Sequence, residues 1–204
     1  MTTLLIARHG ETDWNRDHRW QGFTGPPLNE TGRAQARRLA EQLTKVDAIY
    51  SSDTIRVRET ADIAAARLGL PVTTDSRLRE VNFGEWEGLT REEINHRYAN
   101  DFARWDSFEL AEPTGGETDV GMAKRVLAAV RDISEAHSRG RVLVVTSGGP
   151  IRALQAHVRL LDQATARRHL ERVENCLLLE FRVDGETLID IADERYSARF
   201  PYSF

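Results

Sequence analysis

The stretch Leu4-Leu5-Ile6-Ala7-Arg8-His9-Gly10-Glu11-Thr12 decides how the chain is read. Thr3 to Ala7 is an apolar run of strand length, and Gly10 breaks it. Where the run ends, a cation and an imidazole stand side by side. Ligands of open α/β sheets bind beyond the carboxyl ends of the strands, so Arg8 and His9 stand where chemistry is expected. Arginine offers fixed donors that match phosphate oxygens. Histidine acts as a nucleophile or general base near neutral pH. A lone histidine at a strand end can equally do no more than close a loop, so the case for His9 rests on the rest of the chain.

Working outward, a glycine- and proline-marked loop from Gln21 to Leu28 leads to a helix. Asn29 or Thr31 can cap it, and Ala36, Leu39, Ala40 and Leu43 fall at helical spacing. Asp47 to Ser52 reads as a second strand with a polar end, followed by a helix from Thr54 to Leu68 that Gly69 and Pro71 stop. Strand, helix, strand, helix in this order predicts parallel pairing. Thr90 and Glu93 form a capping box for a short helix through Tyr98. A second helical piece covers Asp101 to Phe108. Its aromatics Phe102, Trp105 and Phe108 are expected as core contacts, with a lid over a pocket as the alternative. A loop at Pro113 to Glu117 opens a long helix to His137, with Val126, Leu127, Val130 and Ile133 as its apolar stripe.

Arg141 to Thr146 is the clearest buried strand. It ends in Ser147-Gly148-Gly149-Pro150 before another helix, and such a junction can bind an anion through backbone N–H groups. Cys176 to Val183 and Thr187 to Ala192 flank Asp184-Gly185-Glu186, a hairpin signal. The tail from Asp193, with Tyr196, Phe200, Tyr202 and Phe204, is expected to pack on the surface.

The 204 residues suit one domain spanning 1–204, and 40% hydrophobic residues are enough for a core. A net charge of −4 without a basic tract argues against nucleic acid as a partner. The single Cys176 cannot form an internal disulfide and is expected to be buried. The N-terminal apolar run is too short for a signal peptide or a membrane span, so a cytoplasmic protein without a membrane partner is expected.

Three strand ends thus offer polar groups: Arg8-His9, Ser51-Ser52 and Ser147-Gly148. The second leads to Arg56. A phosphate dianion needs several donors and positive charge, which Arg8, Arg56 and the amides near Gly148 can supply. Arg58 points away from the face that carries Arg56.

With these residues in hand, the chain resembles the histidine phosphatase (phosphoglycerate mutase-like) superfamily. Arg8-His9-Gly10 is similar to its first signature and Ser51 to Ala61 to its second, with Arg56 at the phosphate-binding arginine. Leu78-Arg79-Glu80 through Gly84-Glu85-Trp86-Glu87-Gly88 resembles its third, with Glu80 at the proton donor. The resemblance implies that Asn15, Gln21 and Gly22 contact phosphate or substrate. It departs at Ser147, which stands where the family has a second catalytic histidine, and at Gly25, where relatives often carry an acidic residue. Serine donates one hydrogen bond but carries no charge.

The implied fold is a three-layer α/β/α sandwich with a mostly parallel central sheet and a small helical lid insertion at about 86–116. The implied activity is metal-independent hydrolysis of a small phosphorylated metabolite through a phosphohistidine. No cofactor or metal is expected, since the arginines neutralise charge, and a homodimer is compatible with the sequence. Glu80 would be held protonated by its loop. The rivals are a mutase, which tends to be longer, and a phospho-ligand binding protein in which Ser147 has weakened catalysis.

Overall fold

The first strand, β1 (Thr2–Arg8), runs through the middle of a seven-stranded sheet in the computed structural model, which describes residues 1–110 and 112–201. The other strands are β2 (Ala48–Ser51), β3 (Val72–Thr74), β4 (Arg141–Thr146), β5 (Leu178–Asp184), β6 (Thr187–Asp190) and β7 (Ser197–Arg199), in the order β3-β2-β4-β1-β5-β6-β7. Pairing is parallel from β3 through β2 and β4 to β1, and antiparallel from β1 through β5 and β6 to β7. Strands β1 to β4 and β6 therefore point one way, and the sheet is mixed but mostly parallel.

Both faces of β1 are covered, which is why it reads as an unbroken apolar run rather than an alternating one. Successive side chains point to opposite faces. Leu4 and Ile6 enter a core with Met122, Val126 and Val130 of one helix, α6 (Asp119–Ala136), and Ile151 and Leu154 of the next, α7 (Gly148–Val158). Leu5 and Ala7 enter a second core with Leu39 of α2 (Glu30–Gln42) and Val57, Ala61 and Ala64 of α3 (Ile55–Leu68). The result is the expected α/β arrangement of helices on both sides of one sheet.

The helix ends follow local chemistry. Of the two candidate caps, Asn29 is used, its side chain accepting from the Gly32 amide. Gly69 closes α3 in the left-handed region at φ 68°, which glycine adopts without steric cost. Thr90 and Glu93 form the capping box of α4 (Arg91–Arg97), which is followed by α5 (Ala99–Asp106). Trp86, Ile94, Phe102 and Trp105 bury one another in a third cluster, with Trp20 and Phe83 against it. Phe102 and Trp105 are thus core contacts, as expected. Phe108, part-exposed, lies against the guanidinium groups of Arg167 and Arg168.

Several elements were not expected: the one-turn helix α1 (Asp13–Arg16), two 3-10 turns at Ser76–Leu78 and Gly84–Trp86, strands β3 and β7, and the helix α8 (Gln163–His169). The tail does more than pack on the surface. It adds edge strand β7 to β6, and Phe200 is buried in the first core. Tyr202 and Phe204 lie outside the described residues. Strand β5 begins at Leu178, because Cys176 takes a positive φ of 57° in the preceding turn, where its amide donates to the Arg8 carbonyl. Among the described residues, no helix is long and apolar enough to cross a membrane.

Candidate active site

Strands β2, β4 and β1 are parallel neighbours, so their carboxyl ends share one edge of the sheet. The His9 amide donates to the Thr146 carbonyl at 2.9 Å and the Ser52 amide to the Val145 carbonyl at 3.3 Å, which ties the three ends together. The turn after His9 is pressed against the start of α2. A Cβ on Gly10 would stand 2.5 Å from the Gly32 carbonyl oxygen, so only glycine fits. Thr60 links this turn to the arginine helix: its hydroxyl accepts from the Gly10 amide at 3.1 Å and donates to the Arg56 carbonyl at 2.8 Å.

His9 is buried, with Nδ1 2.7 Å from the Gly10 carbonyl oxygen. A carbonyl can only accept, so Nδ1 carries the proton and Nε2 keeps a lone pair. The Nε–H of Arg56 approaches that lone pair at 3.3 Å. Burial, then the charges of Arg56 and Arg8, hold the imidazole well below its ordinary pKa of 6.5. Arg56 is itself fully buried, donating to the carbonyls of Gly22 at 2.7 Å and Thr24 at 3.0 Å. Burial lowers its pKa, against the opposing charges of Glu80 and Glu87. Arg8 donates to the Val173 carbonyl at 2.5 Å, and burial followed by the neighbouring charge of Arg172 lowers it to about 10.

Glu80 follows a 3-10 turn, Ser76–Leu78, and reaches the first turn of α7. One carboxylate oxygen accepts from its neighbour Val81 at 2.8 Å and the other from the Gly149 amide at 2.9 Å. Both Glu80 oxygens therefore face amide donors. The loop carrying it is fixed from α6. Arg125 donates to the carbonyls of Arg77 at 2.8 Å, Arg79 at 2.6 Å and Glu80 at 2.7 Å, and its other partner is the Glu117 carboxylate.

Among the described residues, the buried atoms Arg8 Nε, Gln21 Nε2, Ser51 Oγ and Ser147 Oγ at these strand ends and the adjoining loop have no hydrogen-bond partner. Buried donors are nearly always paired, so each such atom calls for an explanation. Gln21 is oriented by Thr12, whose hydroxyl donates to its Oε1 at 2.9 Å, leaving the amide nitrogen free. Asn15 Oδ1 accepts from the Thr12 amide and from Asn175, each at 3.2 Å.

A pocket of about 460 Å³ opens over His9. Arg8, His9, Asn15, Gln21, Glu80 and Gly148 line it, so six of the residues singled out from the sequence come together. Arg56, Gly22 and Ser147 are buried and do not line it. Gly22 serves Arg56 through its carbonyl, and a Cβ there would collide with the Glu87 carboxylate at 2.0 Å. The sequence did not single out Thr60, Arg125, or the arginines at the pocket mouth. An arginine on a helix or in a loop ordinarily reads as a solvated side chain, so these gave no signal. Among the described residues, no group of three or more His, Cys, Asp or Glu side chains is placed to hold a metal ion.

The sequence profile of the Histidine phosphatase superfamily (branch 1) matches residues 4–193. The chain is 36% identical over 190 residues to phosphoglycerate mutase-like protein 4 of Arabidopsis thaliana, covering 90% of this chain and 80% of that protein. It is 35% identical over 157 residues to phosphoserine phosphatase 1 of Hydrogenobacter thermophilus, covering 76% and 74% respectively. Among solved structures, Bacillus stearothermophilus YhfR superposes with a TM-score of 0.86 at 33% identity, over 94% of this chain and 96% of that one. With the profile running from the strand that carries His9 to the turn before β7, the chain belongs to branch 1 of the histidine phosphatase superfamily.

Proposed function

We propose that the chain is a phosphomonoester hydrolase that works through a phosphohistidine on His9. The observation that carries this reading is that His9, whose Nε2 keeps its lone pair, lines one pocket with Arg8 and Gln21, whose buried Nε and Nε2 donors have no partner among the described residues. A phosphoryl group bound in that pocket would offer both donors an acceptor.

The lone pair on Nε2 attacks phosphorus, and the P–O bond to the leaving alcohol breaks as the P–N bond forms. Arg8 and Arg56 balance the charge on the phosphoryl oxygens. Their fields also keep His9 unprotonated, so the nucleophile is ready at neutral pH. Glu80 gives the departing alkoxide its proton. To do so it must arrive protonated and turn one oxygen off an amide, and the phosphoryl group entering at the first turn of α7 competes for that amide. Water then attacks phosphorus with its proton passing to Glu80, the P–N bond breaks, and inorganic phosphate leaves. The arginines provide the charge neutralisation that a metal would otherwise supply. The segment from 86 to 116, which contributes Trp105 and Arg91 to the mouth, acts as the lid of a single domain.

The relatives support the class of reaction. Alongside the phosphoserine phosphatase, the chain is 36% identical over 162 residues to a glucosyl-3-phosphoglycerate phosphatase of Mycolicibacterium vanbaalenii. The test is quenching with alkaline detergent during turnover of a phosphate ester in the presence of a chelator. The expected result is a phosphoprotein adduct that is base-stable and acid-labile, absent from His9→Ala. Full turnover by His9→Ala, or activity that vanishes with chelation and returns with a divalent ion, would overturn the reading.

A further inference from the structure

We propose that the outer pocket recognises a second anionic group on the substrate, a carboxylate, through Arg152 and Arg172. This rests on the phosphatase reading and specifies the class of ester.

Beyond Arg8, five arginines line the pocket, and three of them are already matched. Arg19 pairs with Glu93 at 2.9 Å and Arg91 with Asp106 at 2.9 Å. Arg167 pairs with Asp119 at 3.1 Å and stacks 3.6 Å from the Trp105 ring. Arg152 and Arg172 have neither an ion pair nor a hydrogen bond to another described residue. Arg152 stands four residues after Gly148 on α7, and the two share a helix face. The charge of Arg172 bears on Arg8, and that of Arg152 on Asp119 and Arg167. Two cations thus face a cavity that Arg8 also lines, although the chain as a whole is negative.

Charge accounting fixes the kind of ligand. Once the three ion pairs cancel, the lining arginines Arg8, Arg152 and Arg172 remain against Glu80, and the buried Arg56 is countered by Glu80 and Glu87. A phosphoryl dianion is met by Arg8 and Arg56. The outer pair then holds no ion pair of its own among the described residues, with Asp119, already paired to Arg167, as the nearest charge bearing on Arg152. A carboxylate, flat and bidentate, matches the guanidinium fork and would relieve the repulsion between Arg172 and Arg8. Trp20, Trp105 and Phe83 supply the apolar wall between the two ends.

The experiment measures kcat/KM by phosphate release on matched pairs of esters: phosphoglycolate against ethyl phosphate, and 3-phosphoglycerate against glycerol 3-phosphate. The wild-type chain should favour the carboxylate member of each pair by at least about tenfold, chiefly through KM. Arg152→Met and Arg172→Met should each shrink that ratio, and the double variant should bring it close to one. Neither residue holds an internal partner, so the fold should survive, and the wild-type ratio is informative without any variant. A wild-type ratio near one, with hydrolysis intact, overturns the carboxylate site alone. So does a preference for 2,3-bisphosphoglycerate that depends on these arginines, which would make the second anion a phosphoryl group. No hydrolysis and no phosphohistidine with any ester would instead overturn the phosphatase reading beneath it.

Discussion

The amide of Gly149 donates to the carboxylate of Glu80 at 2.9 Å, so the first turn of α7 already holds an anion that the chain itself supplies. Helix N-termini attract negative charge through free amides and the aligned peptide dipoles. The sequence suggested this junction as a nest for phosphate. In the free protein the side chain proposed as the proton donor sits there instead.

Gly149→Ala tests that placement. A Cβ at 149 would stand 2.0 Å from Glu80 Oε1, the movable end of a side chain, so the carboxylate should shift and the backbone should not. Alanine is also the better residue within a helix, by roughly 0.5–1 kcal/mol. We expect kcat on alkyl phosphates to fall at least about tenfold while the thermal midpoint holds or rises. Undiminished kcat would show that Glu80 is not used from this position.

Glu80→Gln should separate substrates by leaving group. Loss of a general acid costs roughly 10²–10⁴ where the alkoxide needs protonation. Nitrophenyl phosphate needs little, so its turnover should suffer far less. Equal losses on nitrophenyl and alkyl esters would remove Glu80 from the acid role.

Arg125 is a positioning residue: it holds the carbonyls of Arg77, Arg79 and Glu80 and touches no reacting atom. Arg125→Met should reproduce the leaving-group pattern of Glu80→Gln in weaker form, with Arg125→Lys partly restoring it. If Arg125→Met lowers stability but slows both ester classes alike, its role is structural only.

Because burial and two arginines hold His9 below 6.5, the folded state binds fewer protons than the unfolded chain. His9 therefore contributes stability that is complete above about 6.5 and is lost as pH falls toward its folded-state value. Denaturant unfolding across a pH series should show a gentler acid slope for His9→Asn than for wild type. Nitrogen NMR of the imidazole should find Nε2 unprotonated below pH 6.5; titration at or above 6.5 would contradict the nucleophile argument.

Ser147→His would place an imidazole donor at a position whose hydroxyl is buried without a partner among the described residues. A preorganised donor contributes roughly 10²–10³ in rate. The amide of Gly149 and the positive end of α7 offset part of its absence. We expect turnover of a small ester to rise at least about tenfold. A fall would mean that the space is shaped around serine, and no change would place residue 147 outside the contacts made in the transition state.

Much of this fold was legible because burial on both faces leaves a plain mark. Strands β1 and β4 are uninterrupted apolar runs, and Asn29, Gly69 and Thr90 punctuate helices by capping chemistry. Val72-Thr73-Thr74 carried no such mark: β3 is three residues long and mostly exposed, and only its pairing with β2 makes it a strand. Strand β7 likewise depends on β6, and Phe200 on a core assembled far away in sequence. In the site, Arg8, His9 and Glu80 were legible from strand ends and motif order. Arg125 and Arg152, on helices, and Arg172, in the loop after α8, were not, because a surface arginine has the same local sequence whether it meets solvent, a carbonyl or a ligand. Nor could the sequence show which anion occupies the Gly149 amide, since Glu80 reaches it only through tertiary packing.

The position of β1 in the sheet also governs when the site can come into being. Its two edges are taken by β4 and β5, so Leu4 pairs with Val142 on one side and Phe181 on the other. Contacts so remote in sequence close late and slow folding. While the chain is being synthesised, the first strand emerges with both edges bare, an apolar ribbon open to wrong partners. His9 gains its amide contact to Thr146 only once β4 is made, and Arg8 meets Val173 later still. The nascent chain is therefore catalytically silent until β4 and the loop at Val173 have been made, and any truncation that removes β5 should leave a chain that neither hydrolyses esters nor stays free of aggregation.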